Sequence, residues 1–81
     1  MLIRELETIG RKFALRTIPR EFPLAAEGAW GVGRDCAVCD GTILASEAEV
    51  IGHFRHSDSQ TFHVECFVRW WRIVSAFQSR Q

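Results

Sequence analysis

Apolar residues recur at helical spacing near both ends of the chain. At the beginning, residues 1–17 place an apolar side chain every three or four positions, which predicts an amphipathic helix. The stripe consists of Leu2, Leu6, Ile9 and Phe13, widened by Ile3 and Ala14. Pro19 ends this helix, because the residue before a proline is disfavoured in the α region. We expect the helix to pack on the rest of the fold or to serve as a dimerisation or docking surface.

The second helical pattern covers residues 63 to about 78. Its apolar stripe consists of Val64, Phe67, Val68, Trp71, Val74 and Phe77. Trp70 and Ile73 lie off this stripe, and Trp70 is about 100° around the helix from Trp71. We therefore expect Trp71 in the core, and Trp70 at the surface in a partner-binding patch with Ile73. Thr61 is the expected N-cap of this helix.

The region between the two helices has the pattern of a connector followed by short strands. Residues 20–33 predict a connector that apolar side chains fasten to the core. Residues 49–56 alternate well enough for a strand, residues 57–59 form a turn cluster, and residues 60–62 are long enough for a returning strand. The pattern therefore predicts a β-hairpin that leads into the last helix.

All three cysteines of the chain are spaced as metal ligands. Cys36 and Cys39 form a Cys-x2-Cys pair, and His63 and Cys66 form a His-x2-Cys pair. The second pair lies in the first turn of the predicted helix, where residues three apart share a face. Two such pairs separated by a hairpin are typical of a tetrahedral zinc site. We predict one structural zinc ion bound by all four residues.

Several neighbours of the ligand pairs remain as alternatives or supporting groups. His53 and His56, both on the first predicted strand of the hairpin, are alternatives to His63 as the fourth ligand. Gly41, just past the second cysteine, suits a turn that needs a positive φ. Three acidic residues flank the ligands and are candidate hydrogen-bond acceptors around the site, namely Asp35, Asp40 and Glu65.

This order of knuckle, hairpin and helix resembles a treble-clef zinc finger. The spacing is similar to the first zinc site of LIM domains, including an aromatic residue, Phe67, directly after the last cysteine. The resemblance covers residues 35–71 and ends there, because a LIM domain continues into a second metal site and no cysteine follows Cys66. The aromatic tail of the motif is also similar to that of small bacterial and phage zinc proteins.

The resemblance and the helical patterns together give the expected architecture. We expect a small α+β fold, a treble-clef-like zinc finger with an additional N-terminal amphipathic helix. Residues 1–34 would form that helix and a connector packed on the finger, and residues 35–81 would form the zinc-binding domain.

Length and cysteine content limit the class of protein. With 81 residues the chain forms one small domain, and small cores are commonly supplemented by a metal. Three cysteines cannot all pair in intramolecular disulfides, and residues 1–10 lack the apolar segment of a secretory signal. We therefore expect a reducing, cytoplasmic compartment. No apolar run approaches the length of a membrane span.

The distribution of charge separates the candidate functions. The formal net charge is zero, residues 35–66 are acidic apart from Arg55, and Arg69 and Arg72 leave the last helix basic. Such a balance disfavours non-specific nucleic-acid binding. We expect a protein-interaction or adaptor module that binds another protein, with a homodimer through the N-terminal helix as one possible form. The alternative is nucleic-acid binding by the last helix, with Trp70 and Trp71 stacking on bases.

Hydrolytic catalysis is the least favoured interpretation. The local His-x-Glu at residues 63–65 resembles that of zinc deaminases, but the order of the two motifs is reversed. Cys66 supplies a fourth ligand, which leaves no position for an activated water. A His-metal nuclease would need an open metal site beside a catalytic histidine such as His53 or His56. We therefore expect no enzymatic activity.

Overall fold

The computed structural model describes Arg11 and residues 18–78, the last two by their backbone alone. Three strands and one helix occur in this part of the chain: β1 (Ala25–Trp30), β2 (Ala48–His53), β3 (Gln60–His63) and α1 (Val64–Gln78). Together they form a small α+β fold. The predicted helix over residues 1–17 lies outside the described residues, apart from Arg11.

The strands form one antiparallel sheet in the order β1-β2-β3. The predicted hairpin corresponds to β2 and β3, with β2 ending at His53 rather than at residue 56. β1 corrects the prediction of a connector over residues 20–33, because it pairs with β2 from Ala25↔His53 to Trp30↔Ala48. Alanine, glutamate and glycine dominate β1 and have low strand propensity. Pairing with β2 therefore defines this strand, and its local sequence pattern does not predict it.

β3 passes into α1 without an intervening turn. His63 is the last residue of the strand and Val64 is the first of the helix, so the predicted start of the helix is correct to one residue. Thr61 lies inside β3 and is not the N-cap that the sequence suggested. Its hydroxyl instead donates to the backbone carbonyl of Asp35, at 3.0 Å.

The core is centred on the indole of Trp70, which has no exposed surface. The ring stacks on Phe62 at a centroid separation of 5.2 Å and meets Phe54 edge-on at 5.7 Å. Its Nε1–H donates to the Pro19 carbonyl at 2.8 Å, which satisfies the polar end of a buried tryptophan. The buried apolar residues around it are Ile18, Cys36, Val38, Ile43, Phe54, Phe62, Cys66 and Val74.

The burial of Trp70 reverses the predicted roles of the two neighbouring tryptophans. Trp70 is fully buried, whereas Trp71 is 39% exposed and packs against Phe22 with a separation of 4.8 Å between ring centroids. Ile73 is only partly buried against the core, so the predicted surface patch of Trp70 and Ile73 does not form. The fold has Cys66 facing inward, and the residue four positions later shares its face of the helix. The helix is therefore rotated so that Val64 and Val68 face outward.

We expect the two tryptophans to differ strongly in their contribution to stability. Trp70→Ala should lower the free energy of unfolding by about 3–5 kcal/mol, because it removes the centre of the aromatic core. Trp71→Ala, one position along the same helix, is the matched control and should cost no more than about 2 kcal/mol, because much of its ring is already exposed. Urea denaturation of both metal-loaded variants measures the difference. Equal losses would contradict the central position of Trp70.

Candidate metal centre

A short hairpin carries the first pair of cysteines. The backbone N–H of Ile43 donates to the Arg34 carbonyl, that of Cys36 donates to the Gly41 carbonyl at 2.8 Å, and Asp35 pairs with Thr42. At the tip of the hairpin, the N–H of Asp40 donates a hydrogen bond to the Cys36 carbonyl at 2.9 Å. This tight turn, the knuckle of residues 36–41, directs both cysteine side chains to one side.

Asp40 and Gly41 shape the knuckle, and the positive φ that the sequence suggested at Gly41 lies elsewhere. The positive φ lies at Asp40 (63°) rather than at Gly41. A short polar side chain tolerates this left-handed conformation better than most. Gly41 leaves room for the Cys39 sulfur, because a Cβ there would lie only 3.3 Å from it and would make a tight contact. Its N–H also points at that sulfur, at 3.4 Å.

Hydrogen bonds to β3 hold the knuckle against the second pair of ligands. The N–H of Ala37 donates to the Thr61 carbonyl at 2.8 Å, and the Thr61 hydroxyl donates to the Asp35 carbonyl. The N–H of His63 in turn points at the Cys36 sulfur, at 3.4 Å. The end of β3 and the knuckle are thus fixed to each other on both sides of the site.

These contacts bring the four predicted ligands together. One donor atom from each of Cys36, Cys39, His63 and Cys66 lies within 4.8 Å of the others. In a tetrahedral site with metal–sulfur bonds of about 2.3 Å, the sulfurs lie about 3.8 Å apart, so no separation in the cluster exceeds that distance by more than about 1 Å. The cysteines are free thiols. The cluster is compatible with binding one metal ion.

The thiols of the cluster differ in acidity. Burial raises the pKa of Cys36, but the backbone amides of Cys39, His63 and Val38 outweigh this effect and lower the pKa from 9.0 to about 7. Burial raises the pKa of Cys66, and the neighbouring sulfurs of Cys36 and Cys39 raise it further. Cys36 therefore loses its proton more readily than Cys66 does.

Glu47, which the sequence did not single out, contacts the histidine of the cluster. Its Oε1 lies 3.6 Å from Nε2 of His63, on the side of the ring away from Cys39. Burial lowers the pKa of His63, but Cys36 and the charge of Glu47 raise it overall. Glu47 stands in a turn distant in sequence from His63, so no spacing rule could have indicated the contact.

The other candidates around the site have different surroundings. Nδ1 of His53 bonds to the Ser59 hydroxyl at 2.8 Å, and its Nε2 lies 3.6 Å from Glu27. Neither His53 nor His56 belongs to the metal-ligand cluster found among the described residues. Of the acidic neighbours, Asp35 contacts the Thr42 hydroxyl at 3.5 Å.

One residue of the acidic middle segment is not a surface residue. Glu49 is only 2% exposed and is the cross-strand neighbour of His63. Its Oε2 has no hydrogen-bond partner among the described residues, and an unpaired buried carboxylate oxygen is costly for the fold. Fewer of the acidic side chains of residues 35–66 therefore lie at the surface than the sequence suggests.

Comparison with known proteins identifies no relative of this chain, so its function is inferred from the fold and the site. No protein-family model matches the chain, and neither the curated proteins nor the solved structures give a match. Within the described part of the chain, no helix has the length and apolarity needed to cross a membrane.

We expect metal affinity at this site to rise with pH. The ligands must be thiolates and a neutral imidazole, so each proton still held has to leave on binding. The raised pKa of Cys66 keeps its proton bound near neutrality. The raised pKa of His63 means that its imidazolium proton leaves at a higher pH than that of an ordinary histidine. Release of one proton changes the apparent affinity about tenfold per pH unit. Competition with a chelator, using Co²⁺ as the spectroscopic probe, measures this slope, and a flat profile across neutral pH would contradict it.

Proposed function

We propose that this protein is a non-enzymatic, zinc-stabilised module that binds another protein through the open edge of its sheet. Three cysteine sulfurs and one imidazole within 4.8 Å of one another support zinc as the metal, because such soft donors favour it over calcium or magnesium. Four protein ligands would close the coordination sphere, which supports a structural role over catalysis. The order of knuckle, strands and helix is in keeping with a treble-clef-like arrangement similar to a LIM zinc site.

The observation that carries the proposed interaction is an apolar surface beside β1. Trp30, Val32 and Leu44 are 70%, 66% and 56% exposed. Their backbones are neighbours: the N–H of Gly33, directly after Val32, donates to the Ile43 carbonyl at 3.2 Å. Large apolar side chains grouped on a surface commonly mark an interaction site. We call Trp30, Val32 and Leu44 the edge patch.

The backbone of β1 adds hydrogen-bonding groups to the edge patch. In the part of the chain that the structure describes, β1 is an outer strand of the sheet. The ladder continues at Gly31, whose N–H donates to the Glu47 carbonyl at 2.8 Å. Since bonding positions alternate in an antiparallel pair, the N–H and C=O groups of Ala26, Gly28 and Trp30 point away from β2. An extended segment of a partner protein can add to this edge as a fourth strand, with its side chains on the edge patch.

The nucleic-acid alternative loses part of its basis in this fold. It depended on two adjacent tryptophans stacking on bases beside Arg69 and Arg72. Trp70 is buried and bonded to the Pro19 carbonyl, and Trp71 is partly covered by Phe22. No tryptophan pair is therefore displayed by the described part of α1.

Removal of zinc should unfold residues 35–66 as one unit. The knuckle and the start of α1 approach each other around the metal, and a core this small gains much of its stability from such a link. A strong chelator at neutral pH should remove one zinc per chain and collapse the dispersion of these residues in a proton–nitrogen NMR spectrum. Added zinc should restore it, whereas added magnesium should not.

The Cys66→Ser variant provides the control for this metal experiment. It removes one donor of the cluster and should lose tight binding of the metal ion. A zinc-free chain that keeps its spectrum, or a Cys66→Ser variant that still binds one zinc tightly, would contradict the structural role of the site.

The edge of β1 should be the surface that binds peptides. We would select peptides from a random displayed library on the zinc-loaded full chain and measure their affinity by fluorescence polarisation. Gly28→Pro removes an outward N–H, and Val32→Asp places a charge in the edge patch. Each should weaken binding at least about tenfold, since strand addition depends on backbone hydrogen bonds and apolar pockets.

Matched variants separate this interaction from a loss of folding. Gly28→Ala keeps the N–H, and its added Cβ meets no atom within 4 Å, so it should bind as the wild type does. Asp58→Ser, in the loop between β2 and β3, should also leave the affinity unchanged. Failure to select any peptide, or equal affinity in the Pro and Ala variants, would reject the edge as the site. A salt-dependent gel shift with DNA or RNA would favour the nucleic-acid alternative.

A further inference from the structure

The two ring nitrogens of His63 have different neighbours. Nδ1 lies 3.4 Å from the sulfur of Cys39, on the side of the ligand cluster. Nε2 lies 3.6 Å from Oε1 of Glu47. A neutral imidazole carries one proton, so one nitrogen donates a hydrogen bond and the other is free to bind a metal. The partner of the donating nitrogen therefore determines which nitrogen faces the metal.

The backbone holds Glu47 in place for this contact. Its N–H donates to the Leu44 carbonyl at 2.9 Å, and its Oε1 accepts the Leu44 N–H, also at 2.9 Å. Its own carbonyl accepts the N–H of Gly31 at 2.8 Å. Three hydrogen bonds thus fix the residue between the turn at Leu44 and the end of β1. These bonds hold the carboxylate 3.6 Å from Nε2 of His63, and a small approach of the two side chains would complete a hydrogen bond.

We propose that Glu47 is a positioning residue of the metal centre. Its carboxylate accepts the proton on Nε2 of His63, which leaves the lone pair of Nδ1 directed at the cysteine sulfurs. Outer partners of this kind orient a ligating histidine and increase its affinity for the metal. The inference rests on metal binding in the proposed function and is independent of any partner protein.

The same residue connects the metal centre to the edge patch. Leu44 belongs to that patch, and Gly31 lies between its other two members, Trp30 and Val32. Both are hydrogen-bonded to Glu47. We expect a metal ion that fixes His63 to restrain Glu47 as well and so to make the turn at Leu44 more resistant to opening.

The wild-type chain gives the first test, without any substitution. In the zinc-loaded full chain with nitrogen-15-labelled histidine, long-range proton–nitrogen NMR identifies the protonated ring nitrogen. We expect His63 to carry its proton on Nε2 and to bind zinc through Nδ1. A proton on Nδ1 with zinc on Nε2 would overturn the proposal.

Variants of Glu47 give the second test. Glu47→Ala removes both the charge and the acceptor and should lower zinc affinity about 10–100-fold. Glu47→Gln keeps an acceptor oxygen and should lower zinc affinity by a smaller factor than Glu47→Ala does. Asp58→Asn is the matched control, because it removes the same charge from the exposed loop between β2 and β3 and should change affinity less than twofold. Hydrogen exchange at Gly31 and Leu44 should accelerate in Glu47→Ala and stay unchanged in Asp58→Asn.

The outcomes distinguish this inference from the proposed function. A wild-type chain that binds no zinc would reject both. A wild-type chain that binds zinc while Glu47→Ala and Glu47→Gln bind it within twofold of the same affinity would reject the role of Glu47 alone. If Glu47→Ala does not fold, Glu47→Gln and the wild-type proton position still decide the question.

Discussion

The attachment of the knuckle to β3 is the interaction on which the rest of this structure depends. The Ala37 N–H and the Thr61 hydroxyl each bond to a carbonyl of the other segment. These bonds place two cysteines beside the point where a strand becomes a helix. Without them the two ligand pairs would be joined only by a long stretch of chain, and the entropy of that chain would oppose their meeting. The candidate metal centre and the sheet are therefore one structural unit.

The position of Cys66 in that unit also determines how α1 packs. Once its sulfur faces the cluster, Trp70 and Val74 follow on the same side of the helix, and all three are buried. The aromatic core then forms around Trp70, with Phe62 contributed by the strand that carries His63. A ligand of the site and the centre of the core thus share one helix face. A substitution of Cys66 or Trp70 therefore affects the surroundings of the other residue, because a rotation of the helix moves both side chains.

The surface of the molecule reflects the same arrangement. Among the described residues, β1 pairs only with β2, and its other edge lies beside the exposed Trp30, Val32 and Leu44. Glu47 lies between this surface and His63, with hydrogen bonds to Gly31 and Leu44. Under the proposed role of Glu47, a metal ion bound at His63 would also stabilise the turn at Leu44, which would connect the candidate metal centre to the proposed interaction surface.

The sequence by itself determined the four candidate ligands, the hairpin and the last helix, because metal-ligand spacing, strand alternation and helical periodicity are local properties. Tertiary structure decided the rest. β1 has no strand-forming composition and exists through its pairing with β2. Glu47 reaches His63 only because a turn folds back beside the site. α1 has apolar residues around most of its circumference, so periodicity could not choose between Trp70 and Trp71. The inward direction of Cys66 made that choice, since a helix is rigid and one fixed side chain sets the orientation of all the others.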